Sequence, residues 1–477
     1  MERKALLEEI ANNWKLEAKE EDNERYFYFF NEVDRILKGA KNYVIGRKGT
    51  GKTAISEYIT SLNKRDGKIF TEKLKFKNFP FNELYGLKDA KFTPPNQYIT
   101  LWKHLIYSII CKMMLRNSNI NSKIHQSLSL SYEPDTITSL PRLVAEWTHK
   151  DFEVLDPDEK STTFRRTDEI PWIMKVDILE DIIRKHIDDS KYYIVFDELD
   201  EDYRNIKETK SFELYDNLIT SLFKAVQEIR SSFRDTRYHI YPIIFLRDDI
   251  YGLIKDADKN KWTDFKIELD WDIQKIQRLI AFRISRAFSK DQEILPFGKV
   301  WNYIFFNLSV KMGNERAKEM SIFDYIVRST QLRPRDFIRY IQVCAEETVL
   351  GGHDLIHPNT VKKVDKAFSN YLRAEIEDEI FPILPDISNI FRVLSEIRKQ
   401  FLSIEEFKDT YDKYVSNGTI QETNVNLVLQ LLYDFSVIGN CTRNDAQIFK
   451  YKNKEARLNF SENIVIHRGL YKALQIL

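Results

Sequence analysis

Apolar residues along this chain follow two distinct patterns. The first is a set of short continuous runs, "NYVI" (42–45), "YYIVF" (192–196) and "YPIIFL" (241–246), each bounded by polar or charged residues. Runs of that length suit parallel strands covered on both faces, where no side chain meets solvent. The second pattern has helical spacing. Ala54, Ile55, Tyr58, Ile59 and Leu62 follow the first run, and Ile273, Ile276, Leu279, Ile280 and Ile284 mark 272–288. "PPNQYITLWKHLIYSIICKMMLRN" predicts a long helix. Phe337, Ile338, Ile341 and Ala345 predict another, opened by Pro334 where a missing N–H does no harm. Strand–helix alternation in the first half predicts a parallel α/β sheet.

From about residue 385 the texture changes. "ISNIFRVLSEIRKQ" predicts a first helix and "SIEEFKDTYDKYV" a second, with Ser403 and the acids after it forming an N-cap signature. "NVNLVLQLLYDFSVIG" predicts a third, closed by Gly439. "QIFKYKN" and "ARLNF" follow as short strands around a polar turn, then a last "HRGLYKALQIL". Three helices and a hairpin predict a winged-helix domain.

At 477 residues the chain is too long for one hydrophobic core, so two or three domains are expected. Lys+Arg and Asp+Glu both number 73, which gives no overall pull toward nucleic acid or anionic lipid. Cys111, Cys344 and Cys441 lie far apart, without metal-ligand spacing, and read as small buried hydrophobes in a reducing compartment. The most apolar long run carries Lys103, His104 and Lys112 and is too short and polar for a bilayer. With a charged helical start in place of a signal peptide, a soluble cytoplasmic protein with no membrane contact is expected.

Glycine is scarce, 14 in all, yet three fall within six positions in "VIGRKGTGKTAI". Gly46, Arg47, Lys48, Gly49, Thr50, Gly51, Lys52 and Thr53 fit G-x-x-x-x-G-K-[ST], with Ala54 opening the helix. Small residues let successive backbone N–H groups turn onto phosphates, Lys52 reaches the terminal oxygens, and the Thr53 hydroxyl takes a place on Mg²⁺. The order strand, loop, helix adds the positive end of a helix to that site. ATP with Mg²⁺ is therefore the expected ligand.

Hydrolysis needs an acid for the metal and a base for water. "KYYIVFDELDED" ends a buried run in Asp197 and Glu198, at the carboxyl end where such sheets bind ligands. Asp197 would orient the metal and Glu198 would polarise water. Arg247 ends the next run, placed either to contact a γ-phosphate or to pair with Asp248 or Asp249.

These residues resemble AAA-type P-loop ATPases of the signal-transducing (STAND) and origin-recognition kind. More narrowly, the chain looks like bacterial P-loop ATPases carrying "IGRKGTGKTA", "FDELD", "FLRDDIY" and "RPRDFI" in that order. The resemblance implies that Arg247 senses the γ-phosphate. It also implies a helical lid whose arginine, Arg333 or Arg335, touches nucleotide, with an ion pair to Asp336 or a lid carboxylate as the alternative. It implies a homo-oligomer in which an arginine enters a neighbour's site, Arg283 and Arg286 being candidates unless they are surface residues. A role in antiviral defence is a further implication of the resemblance. The sequence carries no nuclease, protease or other effector signature, so a separate protein partner or effector, or self-assembly, is expected to supply the output.

The expected architecture is an N-terminal helical segment (1–40) and a P-loop core (41–270) interrupted by a helical insertion at about 91–170. A helical lid (271–384) and a winged helix (385–477) follow. The third winged-helix segment lacks Lys and Arg, so DNA contact would fall to Lys450, Lys452, Lys454 and Arg457 on the wing. The leading expectation is an ATPase switch or motor. The alternatives are a DNA-binding initiator or loader and a P-loop kinase.

Overall fold

The computed structural model describes residues 2–75, 93, 96–132, 172–200, 209–235, 237–311 and 319–476. The chain divides into two compact units, Phe29–Leu269 and a second formed by Met1–Tyr28 together with Asp270–Leu477. The stretch expected as one N-terminal segment, 1–40, is thus split. Its α1 (Arg3–Asn13) and short α2 (Asn23–Tyr26) bury Leu6, Leu7, Ile10 and Tyr26 in the core of the second unit. Residues 133–170 of the expected insertion lie outside the described residues.

Within Phe29–Leu269, α3 (Asn31–Leu37) precedes β1 (Tyr43–Ile45), the loop, and α4 (Lys52–Ser61). Then come β2 (Ile69–Lys75), α5 (Ile99–Arg116), α6 (Ser122–Ser129), α7 (Trp172–His186) and β3 (Lys191–Asp197). The unit closes with α8 (Thr209–Ser232), β4 (Ile240–Leu246), α9 (Asp248–Leu253) and β5 (Lys266–Glu268). The strands form one parallel sheet in the order β2-β3-β4-β1-β5. β4 therefore stands between the strand leading into the glycine loop and the strand ending in Asp197.

That central place holds a proline. Ile244 N–H donates toward β1, to Asn42 O at 2.8 Å, so the N–H missing from Pro242 would face the same side. β1 pairs only from Tyr43↔Ile244 onward, so no ladder bond is lost there. The side chain of Asn42 donates to Pro242 O at 2.8 Å instead.

In the second unit, α10 (Ile273–Phe288) is capped by Asp272, whose carboxylate accepts from Lys275 N–H at 2.7 Å. After α11 (Phe297–Ile304), β6 (Ser309–Lys311) pairs antiparallel with β7 (Glu319–Ser321). Helices α12 (Ile322–Ser329), α13 (Pro334–Leu350) and α14 (Pro358–Ile380) follow. The final part has α15 (Ile387–Ile397), β8 (Phe401–Leu402), α16 (Ile404–Ser416) and α17 (Val425–Asp434). β9 (Ile438–Cys441), β10 (Gln447–Ile448) and β11 (Asn463–Ile466) join β8 in an antiparallel sheet ordered β10-β9-β11-β8.

Two expectations change here. "ARLNF" is irregular, and the returning strand is the apolar Asn463–Ile466. The parts expected as separate lid and C-terminal domains share one continuous core, from Ile276 and Phe337 through Phe391 and Leu432. Buried Gln331 donates to Phe435 O and Ser436 O at 3.1 and 3.3 Å. A Cβ on Gly469 would stand 2.1 Å from Ser329 O, so the chain end lies hard against α12. The described residues of 270–476 pack with α1 and α2 as one body.

Candidate functional site

The glycine loop is built as its residue types require. Gly49 and Gly51 adopt φ of +80° and +98°, the left-handed region that side chains disfavour. A Cβ on Gly46 would lie 2.6 Å from Thr50 Oγ1, so only glycine lets the loop close there. Gly46 N–H donates to Leu246 O at 3.2 Å, tying the start of the loop to the end of β4, and Thr50 Oγ1 donates to Arg47 O at 2.8 Å within the loop. Lys52 and Thr53 open α4, with Ala54 next in the same first turn. The Lys52 ammonium lies across the loop, donating to Gly46 O at 2.6 Å and Arg47 O at 3.0 Å. Burial pushes this ammonium below the ordinary lysine range, against the upward pull of Asp200 and Asp248. A strongly anionic ligand is what such a half-desolvated cation and bent backbone accommodate. Arg47 and Lys48 are half-buried on the same loop.

Asp197 is 3 % exposed at the end of β3. Its Oδ1 accepts from Glu198 N–H at 3.0 Å, and its Oδ2 stands 2.8 Å from Lys73 Nζ. Glu198 has φ +60°, a left-handed conformation for a non-glycine residue costing on the order of 1–3 kcal/mol, of the kind that collects at functional sites. Thr53 and Asp197 are hard oxygen donors, one on the first turn of the loop helix and one on a strand end. They fit Mg²⁺, which takes one or two protein oxygens and leaves the rest to phosphate and water. Among the described residues no group of three His, Cys, Asp or Glu is placed to hold a metal. Lys73 carries no motif, and sequence reasoning missed it.

Arg247 ends β4 beside Asp197, as the strand pairing requires. Its Nε and Nη2 donate to Asp249 at 3.0 and 2.6 Å, and Nη1 reaches Asp200 at 3.4 Å. The structure thus realises the ion pair that the sequence left as the alternative to phosphate contact.

The other arginines are placed more decisively. Arg333 is 1 % exposed and pairs with Asp336 at 3.0 Å and Glu379 at 2.7 Å. This corrects its reading as a nucleotide contact: the guanidinium is an interior ion-pair partner of α13 and α14. Arg335 bonds Glu375 and Glu17 at 3.1 and 3.0 Å and keeps partial exposure. Arg283 is also corrected. It is 3 % exposed, bonded to Glu21, with its guanidinium 4.7 Å from the Trp14 ring centre and 5.0 Å from that of Tyr26. A side chain sealed in that cage is not poised to enter another molecule. Arg286 donates to its own chain at Lys290 O and Gln292 O.

On the wing, Lys450 donates to Ala456 O at 2.9 Å and Lys454 pairs with Asp270. Lys452 and Arg457 are exposed. The outer face of α17 presents Asn426, Leu427 and Asp434. Cys111 and Cys344 are buried free thiols, and Cys441 is half-buried. Among the described residues no helix is long and apolar enough to cross a membrane.

Sheet and loop together define an α/β P-loop core. Residues 274–377, inside the second unit, match a family model described as the FunZ-associated C-terminal helical domain. Over 474 residues the chain is 22% identical to an 80.3 kDa protein ascribed to the transposon gamma-delta of Escherichia coli (strain K12), covering 91% of this chain and 62% of that protein. The chain thus spans less than two thirds of that relative. Among solved structures it is similar to the Aeropyrum pernix ORC2 protein in ADPNP–ADP complexes, at 12% identity and a TM-score of 0.39, covering 93% of this chain and 90% of that one. It is also similar to Cdc6p from Pyrobaculum aerophilum, at 12% identity and a TM-score of 0.32, covering 98% and 96%. At such scores neither likeness carries functional weight.

Proposed function

We propose that this chain is an ATP-hydrolysing switch. The observation that carries the reading is the convergence, at the carboxyl end of the sheet, of a glycine-bent loop with a half-buried lysine and of the Asp197–Glu198 pair. Loop amides and Lys52 would bind the β- and γ-phosphates. Thr53 and Asp197 would hold Mg²⁺, which when bound neutralises phosphate charge. Glu198 would accept a proton from the attacking water as its oxygen bonds to the γ-phosphorus and the bond to the bridging oxygen breaks. A positioned base of this kind is worth roughly 10²–10⁴-fold in rate. Lys52 would offset the charge left on the departing diphosphate.

Support for a switch comes from where the chain leaves this unit. Leu269, its last residue, donates N–H to Ile45 O at 2.8 Å, and its Cβ would stand 3.1 Å from a Cβ on Gly46. The exit toward the second unit is therefore rooted on the first residue of the phosphate loop. That second unit would respond as one body, since its helices share a core.

The test is release of phosphate from ATP with Mg²⁺ and no added acceptor, with Lys52→Ala and Glu198→Gln as controls. Turnover by the unmodified chain alone supports hydrolysis. Transfer only to an added acceptor would favour a kinase. A second reading, DNA contact by a winged-helix domain within 385–477, rests on the helix–strand–helix–helix–hairpin order and on exposed Lys452 and Arg457.

A further inference from the structure

On β2, two residues short of its end, stands a lysine that the motifs do not include. β2 and β3 pair in parallel with Lys73↔Val195 and Lys75↔Asp197. Side chains alternate faces along a strand, so Lys73, Val195 and Asp197 share one face of the sheet. α4 packs over β2 and β3. The Lys73 stem thus runs along the sheet toward the strand end, and its ammonium stands 2.8 Å from Asp197 Oδ2 and 3.0 Å from Glu57 Oε1. Side-chain exposure is 5 % for Lys73, 4 % for Asp197 and 22 % for Glu57.

Glu57 lies four residues after Thr53, one turn along the same face of α4. One ammonium therefore ties the helix carrying the Thr53 hydroxyl to the strand carrying the Asp197 carboxylate. We propose that Lys73 is a positioning residue for the divalent-cation site: a strut that sets Thr53 and Asp197 relative to each other and holds the Asp197 rotamer. The inference deepens the ATPase reading and rests on it. The cation stands between two carboxylates in a largely dry setting, where the pairing offsets the cost of desolvating all three charges. It leaves the Asp197 lone pairs not aimed at Lys73 for a metal-bound water, in the way that outer partners orient metal ligands.

The test separates metal positioning from general support of the loop. A fluorescent ADP analogue is titrated onto the full chain with excess Mg²⁺ and again with EDTA, and the ratio of the two affinities is the readout. For Lys73→Met the EDTA affinity, set by the loop amides and Lys52, should stay within about twofold. The Mg²⁺ enhancement should fall roughly 10- to 100-fold, toward none, the range for loss of an outer partner of a metal ligand. Lys73→Arg should restore most of it. Glu57→Gln, at a more exposed position, should cut the enhancement less, because Asp197 keeps its lysine.

Equal loss of affinity with Mg²⁺ and with EDTA in Lys73→Met would overturn the proposal, since Lys73 would then merely support the loop. Full retention of the enhancement would overturn it as well. Should Lys73→Met not fold, Glu57→Gln decides, and an unchanged enhancement in that variant would refute the strut. An unmodified chain that bound no analogue under either condition would instead remove the nucleotide-site reading, and the strut with it.

Discussion

Arg247, between β4 and α9, and Asp249 in the first turn of α9 form a two-point ion pair, with guanidinium nitrogens 3.0 and 2.6 Å from the two carboxylate oxygens. Bidentate pairing of this kind is both strong and directional. An arginine that reads a γ-phosphate from this strand end must exchange Asp249 for phosphate. Asp249→Asn should loosen the hold and raise ATP affinity by roughly threefold to tenfold, equivalent to about 1 kcal/mol, while ADP affinity stays unchanged. Comparison of the two affinities by fluorescence anisotropy checks this. Equal changes for ATP and ADP would remove the γ-phosphate from the role of Arg247.

The Lys52 ammonium gives a pH dependence whose sign is fixed. Burial holds it below the ordinary lysine range, so it loses its proton at a lower pH than an exposed lysine. A phosphate beside it favours the cation, which places the value in the complex above that of the free protein. ADP affinity should be full below the free-protein value and decline as pH rises through it, with a proton taken up on binding in between. Calorimetry in two alkaline buffers of different ionisation enthalpy measures that uptake. Affinity that stays flat up to about pH 10 would place Lys52 away from the phosphates.

Arg283 belongs to the interior of its unit, caged by Trp14, Tyr26 and Glu21. Arg283→Ala strands a buried carboxylate and should destabilise that unit by about 3–5 kcal/mol. Arg278→Ala, at an exposed position of the same helix, should stay within about 0.5 kcal/mol. Urea denaturation distinguishes the two. Unchanged stability in Arg283→Ala, with turnover lost only in concentrated protein, would return the residue to a role in a neighbour's site.

Of the four cations expected on the wing, Lys452 and Arg457 are exposed, while Lys450 and Lys454 are held by Ala456 O and Asp270. If both meet duplex phosphates, the slope of log affinity against log salt contributed by the wing should be no steeper than about −2. Alanine at both positions should abolish that part of the slope. A slope near −6 that survives the double substitution would place DNA on another surface.

What the sequence revealed follows from how local each feature is. The phosphate loop was legible because Gly46, Gly49 and Gly51 answer to backbone demands within eight residues, and the strands because burial on both faces leaves an unbroken apolar run. Helix α16 was legible through Ser403, whose hydroxyl accepts from Glu406 N–H at 3.1 Å. Long-range pairings left no such trace. Arg283 meets Glu21 across 262 positions and Arg333 meets Glu379 across 46, so both looked like available cations. Lys73 went unseen for the same reason, since its partners sit on other elements. The strand Asn463–Ile466 was passed over for the more polar "ARLNF" because a run of four near a chain end says little about register.

The most direct trial of the account is single-turnover and steady-state phosphate release by Glu198→Gln beside the unmodified chain, with ATP affinity measured on both. Glu198→Gln should bind ATP within about threefold of normal and release phosphate at least about 100-fold more slowly. Near-normal turnover in that variant, or an unmodified chain whose ATP affinity is indifferent to Lys52→Ala, would contradict it.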